Sequence, residues 1–376
     1  VAGTPSIIAV FNAKGGVGKT TTTVNLAVCL AAFGRKVLVV DVDAQGNASA
    51  SFGLPDLPQV GTYDLISGKV GLDEVAKPTL IENVSLVAAT NSLGVVDVEL
   101  ATTSIKHGTL RTLLATDAHQ FDLVLIDCPP ALGALTINAL TSAHAVLIPV
   151  NPTPFAHEGL VRTWKLVKRL QQAVNKDLFV EGILVTLSEE DEKATNLLLE
   201  PVMRAEFGNL VFPIRVPHDV QVFVLAAAHG VPACLFAPES LGANAYLDLA
   251  ERVLDDEPFL LRVATGAALN APKKARRSRE EAKAFLVRFH EIVQSAGLLA
   301  TTGALPEYHP PAQNEQSLQS AFKEDPADLP LEVEASLAPQ TLPPLRGPLF
   351  WFLAGLLAGS VLGGALAFVA YQFFLQ

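Results

Sequence analysis

Short apolar runs punctuate the first 255 positions: Ile7 to Phe11, Val37 to Val40, Leu123 to Ile126, Ala145 to Val150 and Gly182 to Thr186. They are rich in Val, Ile and Leu and stay apolar at successive positions, so a strand built from any of them is buried on both faces. Helix-length segments separate them. This alternation predicts an α/β fold, a mostly parallel twisted sheet with helices on both faces. Thr20 to Phe33 has the length of a crossover helix, and Gly34 marks its end. Near the far boundary, Tyr246, Leu247, Leu249, Ala250, Val253 and Leu254 recur at helical spacing within Leu241 to Leu254. Asp255, Asp256, Glu257 and Pro258 then break the pattern, which closes the domain at residue 255.

The rest of the chain changes character three times. A basic cluster, Lys273, Lys274, Arg276, Arg277 and Arg279, precedes a predicted helix from Glu280 to Ser295. Ser278 with Glu281 fits a capping box, and Phe285, Phe289, Ile292 and Val293 are placed on one face. Such a helix can dock on anionic lipid, a partner helix or nucleic acid, or pack on the preceding domain, and the pattern leaves these open. Leu305 to Pro348 holds nine prolines with scattered acids and reads as a flexible, extended spacer. From Gly347 to Gln376 there is no charged residue. As a helix, Leu349 to Leu375 would rise about 40 Å, enough to cross a hydrocarbon core of about 30 Å with some tilt. Phe350, Trp351 and Phe352 at one end and Tyr371, Phe373 and Phe374 at the other suit interface anchors, and Arg346 on the near side favours a cytoplasmic body. Gly355, Gly359 and Gly363 would let two spans approach closely. A buried helix of a soluble fold is the competing reading. The expected organisation is therefore a domain at 1–255, a basic helical extension at 256–304, a proline-rich linker at 305–348 and one transmembrane helix at 349–375.

Composition narrows the classes. Residues 1–255 hold 17 Lys+Arg against 26 Asp+Glu, and the whole chain carries a formal net charge of −11, so no broad cationic face for nucleic acid is expected. Cys29, Cys128 and Cys234 are far apart in sequence, which suits a reducing compartment and no structural zinc. The run Ile7 to Phe11 reads as a strand and not as a secretory signal, so the domain is expected in the cytoplasm.

Candidate chemistry starts at Lys14-Gly15-Gly16-Val17-Gly18-Lys19-Thr20-Thr21, set directly between an apolar strand and a helix. Glycines there expose successive backbone N–H groups to phosphate oxygens, and the helix N-terminus adds a favourable field. Lys19 can reach the β- and γ-phosphates of ATP, and the Thr20 hydroxyl can ligate Mg2+. Asp127, at the end of Leu123 to Ile126, can hold Mg2+ through water. Asp41 and Asp43 both follow Val37 to Val40, and periodicity does not say which is structural. Cys128 has no base and orienting group beside it in sequence, and reads as a small packed residue.

Ordinary spacing would put glycine where Ala13 stands, and Lys14 is a second lysine. Together with Asp41-Val42-Asp43-Ala44-Gln45-Gly46-Asn47, Asp127-Cys128-Pro129-Pro130 and Tyr246-Leu247-Asp248-Leu249-Ala250, this resembles the deviant Walker A pattern of the ParA/MinD family of P-loop NTPases, in particular its ParA/Soj partition branch, over residues 5–255. The resemblance implies a nucleotide sandwich homodimer in which Lys14 reaches the other subunit's phosphate. It implies that Asp43 positions the attacking water, joining Thr20 and Asp127 at the metal. It also implies that Thr186 and the loop from Pro217 to Val220 approach the adenine. The DNA-partition branch offers arginines where this chain has His218 and Gln221, and Ser188 to Lys193 is acidic here, which reduces the cationic surface for phosphate. The expected function is a membrane-held ATPase switch that recruits or positions a protein cargo or activator. DNA or plasmid segregation, with contacts from Lys273 to Arg279, is the alternative. An ATP-binding scaffold with little turnover is a third.

Overall fold

Eight strands form one sheet in the order β3-β4-β2-β5-β1-β6-β7-β8. They are β1 Ser6–Val10, β2 Val37–Asp41, β3 Ala76–Pro78, β4 Val84–Val87, β5 Leu123–Asp127, β6 Ala145–Val150, β7 Phe179–Ser188 and β8 Val211–Pro217. Neighbours pair in parallel except β3, which runs antiparallel on β4 at the edge. This is the computed structural model of the chain, and it describes residues 4–95, 108–153, 156–188, 193–265 and 275–298. Within them the helices are α1 Lys19–Ala32, α2 Asn47–Ser51, α3 Thr62–Ile66, α4 Leu72–Val75, α5 Thr109–Asp117, α6 Ala134–Ser142, α7 Ala156–Ala173, α8 Lys193–Phe207, α9 Val220–Ala228, α10 Ala233–Phe236, α11 Leu241–Thr265 and α12 Arg279–Ser295.

Strand alternation divides the apolar side chains between two layers. Ile8, Val10, Val37, Val39, Leu123 and Leu125 face a cluster completed by α1, α11 and α12. Ile7, Ala9, Leu38, Val40, Val124 and Ile126 face the opposite cluster, with Leu110, Leu140, Leu160 and Val167 from α5, α6 and α7. Burial on both faces explains why these strands read as continuous apolar runs. Strand order places β1 between β5 and β6, and β5 between β1 and β2, so the loops leaving β1, β2 and β5 converge at one edge. Three cysteines separated in sequence are all buried free thiols, and the Cys29 and Cys234 sulfurs lie 3.5 Å apart between α1 and α10.

The C-terminal part of the domain departs from expectation. α11 continues through Asp255 to Thr265 instead of stopping at Leu254. The acidic run is a polar face of a continuing helix, where Arg252 and Asp256 pair across one turn at 2.8 Å. The boundary expected at residue 255 thus falls inside a helix, and α12 belongs to the same compact unit, Val1–Pro311. Its capping box forms as predicted: Glu281 N donates to Ser278 Oγ at 3.3 Å, and Ser278 N to Glu281 Oε2 at 2.7 Å. Ala282, Phe285, Leu286, Phe289 and Val293 are buried against the sheet's first layer, whereas Ile292, expected on that face, is 44% exposed. Arg35, 1% exposed, donates to the Ala275 carbonyl at 2.9 Å and ties this segment to the start of β2.

Lys273 and Lys274, the spacer 305–348 and the expected span 349–375 lie outside the described residues. Among the described residues, no helix is long and apolar enough to cross a membrane.

Candidate nucleotide and metal site

The loop after β1 turns sharply into α1, and its backbone requires glycine: Gly16 has φ +69° and Gly18, the N-cap of α1, φ +79°. A side chain at either would be strained. No side chain caps α1, so its first-turn N–H groups are left for a ligand at the positive end of the helix. Gly15 and Gly16 are exposed at the tip.

Two lysines converge on this loop from different directions. Lys19, 7% exposed, donates from Nζ to the Lys14 carbonyl at 3.0 Å. Burial pulls its pKa below the ordinary lysine value, and Asp127 and Asp43 push back. Lys14 is half-buried and turns the other way, its Nζ donating to Thr153 Oγ1 at 2.7 Å. A buried amide fixes its backbone: Asn12 Oδ1 accepts from Lys14 N at 3.0 Å and from Thr163 Oγ1 at 3.0 Å, while Asn12 Nδ2 donates to the Pro149 carbonyl at 2.8 Å.

Asp127 ends β5 and is fully buried. Thr20 Oγ1 donates to its Oδ2 at 2.7 Å and Thr23 Oγ1 to its Oδ1 at 3.0 Å. Burial, then the neighbouring Asp41 carboxyl, drives the Asp127 pKa up to about 8. Asp41, directly opposite in the β2–β5 register, is equally buried and raised by burial to about 6. Its Oδ2 accepts from Ser49 N at 2.8 Å and from Ser49 Oγ at 2.7 Å, and its Oδ1 from Asp43 N at 3.2 Å. Asp41 therefore holds the loop and α2 in place. Asp43 is half-buried past the strand end, its Oδ1 accepting from Gln45 N at 3.0 Å.

These residues fit a phosphate chain carrying Mg2+. Burial and the neighbouring carboxyl favour the proton-bound form of Asp127, and a cation at this site would favour the carboxylate instead. Thr20, Asp43 and Asp127 would hold the ion with water and phosphate oxygens.

A recess adjoins the loop, lined by Gly18, Thr21, Thr186, Leu187, Val216, Phe223 and Tyr246. Thr186 is buried and donates to the Val17 carbonyl at 2.8 Å. Leu187 has a left-handed backbone, φ +52°, unusual for a branched side chain. Val216 faces this recess, and Pro217 ends β8 beside Ser188. Sequence reasoning also missed Thr23, Thr153, Phe223 and Tyr246. Only Thr23 carried a local signal, four residues after Lys19 and one helical turn from Thr20 on the face toward β5. Cys128 is 1% exposed and its thiol is pushed well above the usual range by burial, as a packed residue would be. The acidic stretch at Glu189 to Glu192 lies outside the described residues.

A family model for an AAA domain matches residues 5–180. The sporulation initiation inhibitor protein Soj of Bacillus subtilis is 40% identical over 251 residues, 66% of this chain and 97% of that protein. Among solved structures, cobyrinic acid a,c-diamide synthase of Mycobacterium smegmatis, with an ATP analogue and magnesium bound, aligns at 32% identity with a TM-score of 0.59, covering 67% of this chain and 95% of that one. The cell division ATPase MinD of Pyrococcus furiosus aligns at 29% identity and a TM-score of 0.55, covering 66% and 98%. Identity of this degree, spread over almost the full length of a relative, places the chain in the ParA/MinD family of P-loop ATPases.

Proposed function

We propose that this chain is a membrane-held ATPase switch: ATP with Mg2+ joins two copies, hydrolysis separates them, and the cycle recruits or positions a protein partner at a bilayer. The observation that carries the ATP cycle is the pairing of Thr20 and Thr23 with the buried Asp127 beneath a lysine-bearing loop. When bound, Mg2+ screens the phosphate charge and orients the terminal phosphoryl group. Lys19 gives its ammonium to phosphate oxygens in place of the Lys14 carbonyl. Asp43 orients water for attack. Lys14 leaves Thr153 and reaches across to the second copy, where a fixed cation stabilises the charge of the transferred group.

The membrane reading rests on the uncharged run from Gly347 to Gln376, its flanking aromatics, and Arg346 before it. It gives a single pass with the ATPase domain on the cytoplasmic side. Chromosome partitioning is the second reading, favoured by the 36% identity over 254 residues with the chromosome partitioning protein ParA of Caulobacter vibrioides. Against it stands the engagement of the arginines that would serve DNA: Arg276 with Asp255, Arg277 with Glu82, and Arg279 with Asp248 and Glu251. Calorimetry on residues 1–311 tests the nucleotide part. Asp43→Ala should keep more of its Mg2+-dependent ATP binding than of its turnover, and equal loss of both would reject its role. Duplex binding by the same protein at low salt, with ATP, would move partitioning ahead.

A further inference from the structure

Helix α7, Ala156–Ala173, turns an unbalanced charge to solvent. Ala156, Leu160, Thr163, Val167 and Leu170 form its buried face. On the opposite face Arg162, Lys165 and Arg169 follow one another at three- and four-residue spacing, and Lys168 adjoins them. All four are exposed. Against them the helix holds a single acid, Glu158, which Arg162 engages at 2.7 Å. Among the described residues no carboxylate pairs with Lys165, Lys168 or Arg169. A solvated helix face normally interleaves both signs, as α12 does from Arg279 onward. In a chain of formal net charge −11, α7 is a local excess of positive charge.

Two observations set what this stripe takes. It is narrow: Arg162 to Arg169 rise about 10 Å along one helix, with Glu158 at its head. Glu206 of α8, 47% exposed, meets α7 at His157, 2.6 Å away. A duplex or a bilayer presents phosphates over a wider front and would bring them against these carboxylates as well. The stripe is also not purely charged. Trp164 is half-buried, edge-on to Phe207 with ring centroids 5.2 Å apart, and the Lys168 ammonium lies 4.9 Å over its ring. Arginines beside a tryptophan suit the anchoring of a protein segment. The buried face of the same helix holds the phosphate loop: Thr163 Oγ1 accepts from Ala13 N at 3.1 Å, and at Gly159 an added Cβ would lie 3.7 Å from that of Lys14. A partner on the outside of α7 thus sits on the element that supports Lys14.

We propose that the outward face of α7 docks the protein partner of the switch, and that this partner presents an acidic segment whose carboxylates meet Arg162, Lys165, Lys168 and Arg169. This rests on the reading of the chain as an ATPase that acts on a protein partner. Because exposed charges make the contact, binding weakens as salt rises. Because Trp164 lies within the stripe, an occupant alters its surroundings directly.

The test uses the 376-residue chain in nonionic detergent, with Mg2+ and ATP and with Trp351→Phe, which leaves Trp164 the only tryptophan. The probe is a fluorophore-labelled, glutamate-rich amphipathic peptide of about 20 residues, its binding read by anisotropy and by Trp164 emission. Lys165→Glu with Arg169→Glu should weaken binding at least about tenfold, and Lys165→Gln with Arg169→Gln should weaken it less. Lys36→Glu with Lys77→Glu, beside β2 and on β3, makes the same change of net charge and should bind as the parent does. Thermal melts of all variants check that the fold is retained. No peptide binding while the parent still turns over ATP overturns the docking surface and leaves the ATPase standing. Loss of binding of the same size in both charge reversals reduces the effect to net charge and overturns it too. So does tighter binding of duplex DNA, or of phosphatidylglycerol vesicles, than of the peptide at equal concentration of negative charge. A parent that turns over no ATP removes the switch, and the docking proposal with it.

Discussion

Asp41 and Asp127 stand opposite each other at the ends of β2 and β5, both fully buried, yet their hydrogen bonds give them different work. Asp41 is spent on Ser49 and the backbone of Asp43, whereas Asp127 is met by two threonine hydroxyls from the helix that follows the phosphate loop. Lys14 shows the same dependence on partners. Thr153 holds its ammonium within the monomer, so Thr153→Val should free it. With a net hydrogen-bond contribution of about 1 kcal/mol, the ATP concentration at which copies associate should fall about fivefold, readable by light scattering; a rise would show that Thr153 serves the dimer instead. Glu181 carries a different prediction. It is 5% exposed on β7, and burial, with Asp256 adding and Arg252 opposing, raises its carboxyl to about 8. A carboxyl that binds its proton more tightly folded than unfolded adds stability below its unfolded value of about 4.3, and that stability is lost as pH rises through about 8. Denaturant titrations across this window should show the parent weakening, and Glu181→Gln should flatten the slope. An unchanged slope would place the loss elsewhere.

At the scale of elements, α12 decides what the basic segment does. Phe285, Leu286 and Phe289 bury it on the domain, and Arg277 and Arg288 both pair with Glu82. Phe289→Ala should therefore destabilise residues 1–311 by about 3 kcal/mol or more; a neutral effect would mean a detached helix. Substituting Arg276 and Arg279 together should lower stability modestly, since these are partly exposed pairs, and leave duplex binding unaltered. The elements with strong local signatures were legible in the sequence: β1, β2, β5 and β6 from unbroken apolar runs, the α12 start from Ser278 and Glu281, the loop from its glycines. What was hidden depends on contacts distant in sequence. Nothing local tells Asp41 from Asp43 until Ser49 is seen to fold back, nor marks Thr153 as a partner for Lys14, 139 residues away. Phe223 and Tyr246 join the recess only because α9 and α11 meet beside α1. The end of α11 was misread because a run of acids resembles a linker but also suits a helix's water face.

For the whole molecule, a doubly covered sheet fixes three loop ends at one edge, and the proposed cycle asks two of their side chains to change partners: Lys14 to leave Thr153 for a second copy, and Asp127 to accept a cation. The proposed span sets where that happens. The 376-residue chain should resist alkaline carbonate extraction from membranes, while residues 1–311 should remain in solution and still bind ATP; recovery of the 376-residue chain in the soluble fraction, without detergent or a shielding partner, would rule out stable anchoring. The ATP-driven association of two copies is tested most directly by sedimentation of residues 1–311 as parent, Lys14→Ala and Asp43→Ala, each with Mg2+ and either ATP or ADP. ATP-driven association predicts a dimer for Asp43→Ala with ATP, where hydrolysis cannot reset it, a monomer for all three with ADP, and a monomer for Lys14→Ala with either nucleotide. One mass for every protein in both nucleotides, or a stable Lys14→Ala dimer with ATP, would contradict it.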